Sequence, residues 1–218
     1  MKTAKIPATG RELTIGKIVC LGRNYAEHAR ELGNEVPAAP VIFMKPATAV
    51  IADGATVRIP PYSQSCHHEV ELALLIGSEC RDVSPEEAME HVAGYGVAID
   101  MTLRDVQDRL KSKGLPWEIA KGFDTSCPLS DFVPASAVAD PHDLTLRLSV
   151  NGEERQNGTT AAMIHRVPQI ISHISSIFTL EPGDVILTGT PSGVGPVRAG
   201  DVMEAGIAGV AGLRIFVE

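Results

Sequence analysis

Short apolar runs broken by Gly and Pro recur along the chain, and few stretches keep a helical period, which predicts an α+β fold rich in strands. Lys17 to Leu21 reads as a strand, and Asn24 to Leu32 as a short helix with Asn24 at its N-cap and Gly33 past its end. Val41 to Lys45 and Thr56 to Ile59 are further strands, with an Asp53-Gly54 turn signal between them. His67 to Ile76 reads as one long strand. Ser84, Pro85 and Glu87 form a capping box that opens a helix running to about Val92, and Gly94 to Asp100 returns to strand. Thr102 is placed to cap a helix through Lys113, stopped by Gly114 and Pro116. Leu144, Leu146, Leu148 and Val150 alternate with polar residues into Asn151-Gly152, so a two-residue hairpin should join this strand to Glu153 to Gln156. Thr160 to Leu180 is the longest helix-like stretch, kinked or divided by Pro168. A Glu181 to Asp184 turn, a strand over Val185 to Thr188, a Gly-rich loop and closing strands over Val202 to Ala205 and Gly212 to Val217 complete the chain.

A length of 218 residues suits one domain with a substantial core. With 44% hydrophobic and 21% charged residues and no run of roughly 18 apolar residues, the expectation is a soluble protein with no membrane span. Met1 to Arg11 lacks the apolar core of a secretory signal, so the expected location is cytoplasmic. Cys20, Cys66, Cys80 and Cys127 form no C-x-x-C pair and read as reduced thiols. A formal charge of -8 argues against a nucleic-acid or anionic-lipid surface, while a small anionic substrate remains compatible with a locally positive pocket.

The candidate chemistry lies where acids interrupt apolar strands. Period-two alternation puts Glu69 and Glu71 on one face of their strand, and Asp100 closes another strand in the same way. Neighbouring carboxylates beside apolar residues are costly unless a cation or a shared proton compensates them. An all-oxygen set of three suits magnesium or manganese rather than zinc. The alternative is a wet edge strand for the two glutamates and a helix cap for Asp100, and spacing alone leaves both open.

Gly22-Arg23-Asn24-Tyr25 with His28, Phe43-Met44-Lys45-Pro46, His67-His68-Glu69-Val70-Glu71, Asp100-Met101-Thr102 with Arg104 to Gln107, Lys121-Gly122-Phe123-Asp124, and Leu187 to Pro191 with Gly193-Val194-Gly195 occur in order along the chain. Together they resemble the fumarylacetoacetate hydrolase superfamily, and its short members in particular. The resemblance implies a mixed β-roll with a few peripheral helices, an N-terminal extension over 1–16, a single catalytic domain over 17–218, and a homodimer. It implies Mg2+, with Mn2+ as the alternative, on Glu69, Glu71 and Asp100, and catalytic residues at His28, Glu31 and Lys121. Arg23, Arg104, Gln107 and Thr190 are the implied substrate contacts. His28 and Glu31 lie three apart and would share one helix face. Apart from the resemblance, His28 reads as an exposed histidine near a loop, Lys121 as an exposed lysine near a helix end, and Arg104 and Gln107 as a solvated helix face.

The implied activity is on small 2,4-dioxo or 2-oxo dicarboxylic acids through a metal-stabilised enolate: acylpyruvate hydrolysis to pyruvate and an acid, oxaloacetate decarboxylation, or enol–keto tautomerisation. Two other readings stand beside it: an isomerase or decarboxylase of hydroxymuconate-type catabolic intermediates, and a non-catalytic metal-binding protein on the same fold. Gly193-Val194-Gly195 lacks the Lys-Ser/Thr ending of a phosphate loop and reads as a turn. His67 and His68 point to opposite strand faces, so at most one approaches the acids. His165 and His173 read as structural.

Overall fold

The computed structural model describes residues 1–33, 35–37 and 39–218. Its strands, numbered in chain order, form five sheets. The largest runs in the order β12 (Val133–Pro134), β9 (Val92–Ile99), β8 (Val70–Ile76), β15 (Val185–Leu187), β3 (Lys17–Gly22), β4 (Val41–Pro46). Its β15–β3 pair is parallel and the rest are antiparallel. A second sheet has the order β14 (Glu153–Thr159), β13 (Thr145–Val150), β17 (Val202–Ile207), β18 (Ala211–Val217), β6 (Thr56–Val57). A small third sheet places β7 (Cys66–His68) between β10 (Thr102–Leu103) and β16 (Gly195–Val197). The remaining pairs are β1 (Thr3–Ile6) with β2 (Arg11–Thr14) and β5 (Val50–Ile51) with β11 (Cys127–Pro128). Among the described residues five short α-helices lie around these sheets: α1 (Ala26–Glu31), α2 (Pro85–Ala88), α3 (Arg104–Lys111), α4 (Glu118–Lys121) and α5 (Val167–Ser175). This is the mixed α+β roll expected from the sequence, and no helix among the described residues is long and apolar enough to cross a membrane.

Strand β8 is buried on both faces, which explains its nearly unbroken apolar sequence. Val70, Leu72, Leu74 and Ile76 face a large core shared with the second sheet, while Ala73 and Leu75 face a smaller one. Alternation puts Glu71 on the smaller-core face, where Ala98 of β9 and Cys20 of β3 also lie. Asp100, just past β9, continues the Ala98 face, and its N–H donates to the Glu69 carbonyl at 2.8 Å.

Several local elements differ from the sequence reading. The expected strand over His67 to Ile76 is two strands broken at Glu69, because its first half pairs with β10 and β16 and its second with β9 and β15. Asn24 does not cap α1: its side chain donates to the His165 and Thr188 carbonyls and accepts from the His165 N–H, tying three segments together. Thr102 is likewise no helix cap but part of β10. Pro168 does not divide a long helix; it sits in the first turn of α5, where its missing N–H costs nothing. The capping box at Ser84 and Glu87 is present, and the Asn151-Gly152 turn has both φ angles positive, at 53° and 80°, as a tight hairpin requires.

Candidate active site

Eight of the ten residues singled out from the sequence line one cavity: Arg23, His28, Glu69, Glu71, Arg104, Gln107, Lys121 and Thr190. The other two sit directly behind it, Glu31 against His28 and Asp100 against Lys121. The cavity is narrow, about 30 Å³, with Phe43 and Trp117 as an aromatic wall.

One oxygen each from Glu69 and Glu71, which line the floor, and from Asp100 behind it lies within 4.8 Å of the other two, and all three residues are buried. The break at Glu69 turns this carboxylate toward the cavity while Glu71 keeps its strand position. Lys121, at the end of α4, gives its ammonium to Glu69 Oε2 at 2.9 Å, Asp100 Oδ2 at 2.6 Å and Thr102 Oγ1 at 2.6 Å. Arg104 donates to Glu69 Oε1 through Nη2 and to Gln107 Oε1 at 2.7 Å through Nη1. Neither Lys121, Arg104 nor Gln107 is therefore a solvated surface group; all three are buried.

These contacts divide the acids electrostatically. Burial alone would raise the Glu69 carboxyl, but Lys121 and then Arg104 outweigh it and hold it well below the usual carboxylate range. Glu71 goes the other way: burial, then repulsion from Asp100 and Glu69, pushes it well above that range. Among the described residues its hydrogen-bond partner is the Gly189 N–H, which donates to Oε2 at 2.6 Å. Gly189 has φ +92°, and a Cβ there would lie 2.8 Å from the Asn24 Cβ, so only glycine presents this amide. Burial would lower Lys121, but Asp100 and Glu69 raise it above an ordinary lysine.

A divalent metal fits this donor set. Hard carboxylate oxygens without cysteine or histidine suit magnesium or manganese, and a cation among them would supply the compensating charge that Glu71 lacks. Among the described residues no other such cluster occurs.

On the opposite side, His28 is buried on α1 and its Nδ1 lies 3.2 Å from Glu31 Oε2. A carboxylate can only accept, so Nδ1 carries the proton and Nε2 is left as the basic nitrogen. Glu31 is itself fixed by the Gly193 N–H at 2.9 Å, in the loop read from sequence as a turn.

Three residues without an assigned role in the sequence reading emerge here. Lys45 is 1% exposed on β4, with its ammonium 2.7 Å from Asp100 Oδ1 and hydrogen-bonded to the carbonyls of Met101, Lys121 and Ser126. A lysine inside an apolar strand was the available signal. Gln156 is fully buried on β14. Its Oε1 accepts from the Val70 N–H and His68 Nδ1, both at 3.0 Å, and its Nε2 donates to Thr190 Oγ1 at 2.8 Å and the Pro191 carbonyl at 2.9 Å. Nothing in its polar strand sequence marked it. Lys111 lines the cavity mouth. His68, neutral through burial, supports Gln156, and His67 contacts Ser65. Burial pushes the Cys66 and Cys127 thiols up to about 12, which leaves them inert at neutral pH.

A buried carboxylate triad able to hold a divalent metal and a histidine–carboxylate pair thus meet at one narrow cavity, the arrangement of an enzyme active site. The chain belongs to the fumarylacetoacetate hydrolase family: the model of the fumarylacetoacetate (FAA) hydrolase C-terminal region matches residues 17–218. It is 55% identical to a mitochondrial oxaloacetate tautomerase, FAHD1, of Bos taurus over 92% of this chain and 91% of that one. It is 54% identical to the oxaloacetate tautomerase YcgM of Escherichia coli (strain K12) over 86% of each. A crystal structure of fumarylpyruvate hydrolase from Pseudomonas aeruginosa, in complex with Mn2+ and pyruvate, superposes with a TM-score of 0.94 at 40% identity, covering 99% of this chain and 95% of that one.

Proposed function

We propose that this enzyme interconverts the enol and keto forms of oxaloacetate, with Glu69, Glu71 and Asp100 as ligands of Mg2+ or Mn2+. The observation that carries this reading is the position of His28, backed by Glu31, across a small cavity from the buried triad. The names of two relatives more than 50% identical support the substrate. A cation on the triad would polarise the 2-oxo group and draw negative charge onto its oxygen. His28 Nε2 takes the proton from substrate C3 and returns it to the oxygen, or the reverse, while Glu31 stabilises the imidazolium between the two steps. Lys121 and Arg104 keep Glu69 ionised throughout and add positive potential beside the substrate. No water attack and no bond cleavage between carbons is needed.

A second reading, hydrolysis of an acylpyruvate, is supported by the likeness to the fumarylpyruvate hydrolase. It needs His28 to activate a water instead. The two separate in one assay of chelator-treated protein with Mg2+ or Mn2+ restored, which follows enol–keto exchange of oxaloacetate and pyruvate release from acetylpyruvate. Metal-dependent exchange without comparable pyruvate release is expected. His28→Ala should lower exchange by about 100-fold, the scale of a lost general base, with metal binding retained. Exchange indifferent to chelator, or unchanged in His28→Ala, overturns the proposal; faster pyruvate release selects the hydrolase.

A further inference from the structure

Arg104, Gln107 and Lys111 occupy positions i, i+3 and i+7 of α3, so they share one helix face and climb from the triad to the cavity mouth, roughly 10 Å along the axis. The inner two are engaged with Glu69 and with each other. The outer end differs. The Lys111 ammonium rests over the Trp117 ring, 5.3 Å from its centroid, and Arg23 lines the cavity with it. Among the described residues neither Lys111 nor Arg23 has an acidic partner within 4.0 Å, and Asp108, an acid on the same helix, stays beyond that distance. Burial, then Arg104 and Arg23, holds Lys111 below an ordinary lysine, and the more distant Asp108 offsets this only in part. Arg23 also sits at φ 61°, a left-handed conformation that costs a residue with a side chain and persists where the surroundings impose it.

We propose that Arg23 and Lys111 form the subsite for a second carboxylate of the substrate and make the enzyme selective for dicarboxylic 2-oxo acids; this rests on the reading of the triad as the anchor of the 2-oxo acid end. The inner carboxylate and keto oxygen lie at the floor, and the distal carboxylate meets two cations that no acid among the described residues pairs within 4.0 Å. A monocarboxylic acid leaves both cations uncompensated at a partly desolvated mouth.

Trp117 is the single tryptophan of the chain and touches Lys111, so its fluorescence reports this subsite without turnover. Metal-loaded protein is titrated with 2-oxopentanedioate and with 2-oxopentanoate, which differ only in a terminal carboxylate against a methyl group. Wild type should bind the dicarboxylate about tenfold tighter or more, the scale of one charge-assisted contact. Lys111→Met should bring the two affinities to within about threefold while the monocarboxylate still binds, which also reports a folded variant, and Lys111→Arg should restore the preference. Equal affinities in wild type, or an unchanged ratio in Lys111→Met, overturn the subsite. A Lys111-dependent preference in a protein that fails to exchange oxaloacetate leaves the subsite standing and removes the catalytic reading alone.

Discussion

Glu71 is buried against two other carboxylates, and among the described residues its hydrogen-bond donor is the Gly189 backbone amide. Its folded-state pKa lies above the ordinary 4.5 because burial, Asp100 and Glu69 all disfavour its charge. A carboxyl raised in this way contributes stability that is fully present below its unfolded value and is lost as pH rises through the folded one. Without a metal the protein therefore carries a Glu71 proton into the pH range above 4.5, and a cation bound at the triad would have to displace it. Glu69, held ionised by Lys121 and Arg104, releases none. Calorimetric Mg2+ or Mn2+ titrations in buffers of different ionisation enthalpy should show release of up to about one proton per metal, shrinking as pH rises. The gain in Tm on adding metal should grow with pH in parallel. Zero proton release across that range, with a pH-independent gain in Tm, would remove Glu71 from the metal site.

At the scale of elements, the triad exists because strands from separate parts of the chain meet, and Gln156 is where they are fastened. Its amide joins β14 to Val70, between two of the acids, and to Thr190 on the loop after β15. Gln156→Leu removes that clamp and leaves the buried Val70 N–H unsatisfied. The expected result is a fall of about 10–100-fold in metal affinity or activity, as for other groups that orient ligands from behind. Gln156→Glu keeps the acceptor for Val70 and His68 but lacks the donor to Thr190, so it should raise KM more than it weakens metal binding. Metal affinity and KM both unchanged in the Leu variant would make Gln156 a packing residue only. No spacing along the chain announces such a clamp. What could be read from sequence was local: the Ser84 capping box, the Asn151-Gly152 hairpin, and the acids that interrupt apolar strands. What could not was set by partners far away. The break at Glu69 lies inside a run with no turn residue, and arises because β7 and β8 pair with different neighbours. Asn24 and Thr102 have good capping chemistry, yet the His165 and Thr188 segments recruit one and Lys121 the other. Lys45 stood in the sequence as a charge in an apolar strand, but its role required the Asp100 carboxylate to arrive from β9.

At the scale of the whole molecule, two cores meet at the largest sheet, and the site lies at the end of the smaller one. That core is completed by the N-terminal hairpin, which precedes the segment matched by the family model. Ala4, Ile6 and Ile15 are buried in it, and the Lys5 carbonyl accepts from the Phe132 N–H at 2.8 Å. Phe132 in turn packs on Gly96 of β9, the strand that delivers Asp100. Residues 1–16 therefore help to support the site's floor from outside without contributing a group to it. Ile6→Ala deletes buried methyl groups where the neighbouring backbone is hydrogen-bonded in place, so the cavity should collapse little and the cost should be about 2–4 kcal/mol. For a chain of this size that lowers Tm by roughly 5–15 °C. Because Ile6 reaches the carboxylate triad only through the intervening core, metal affinity well below Tm should stay within about twofold of wild type. A thermal melt and a metal titration of the same preparation separate the two effects. A large loss of metal affinity with little change in Tm would mean that the hairpin sets the geometry of the triad as well as its stability.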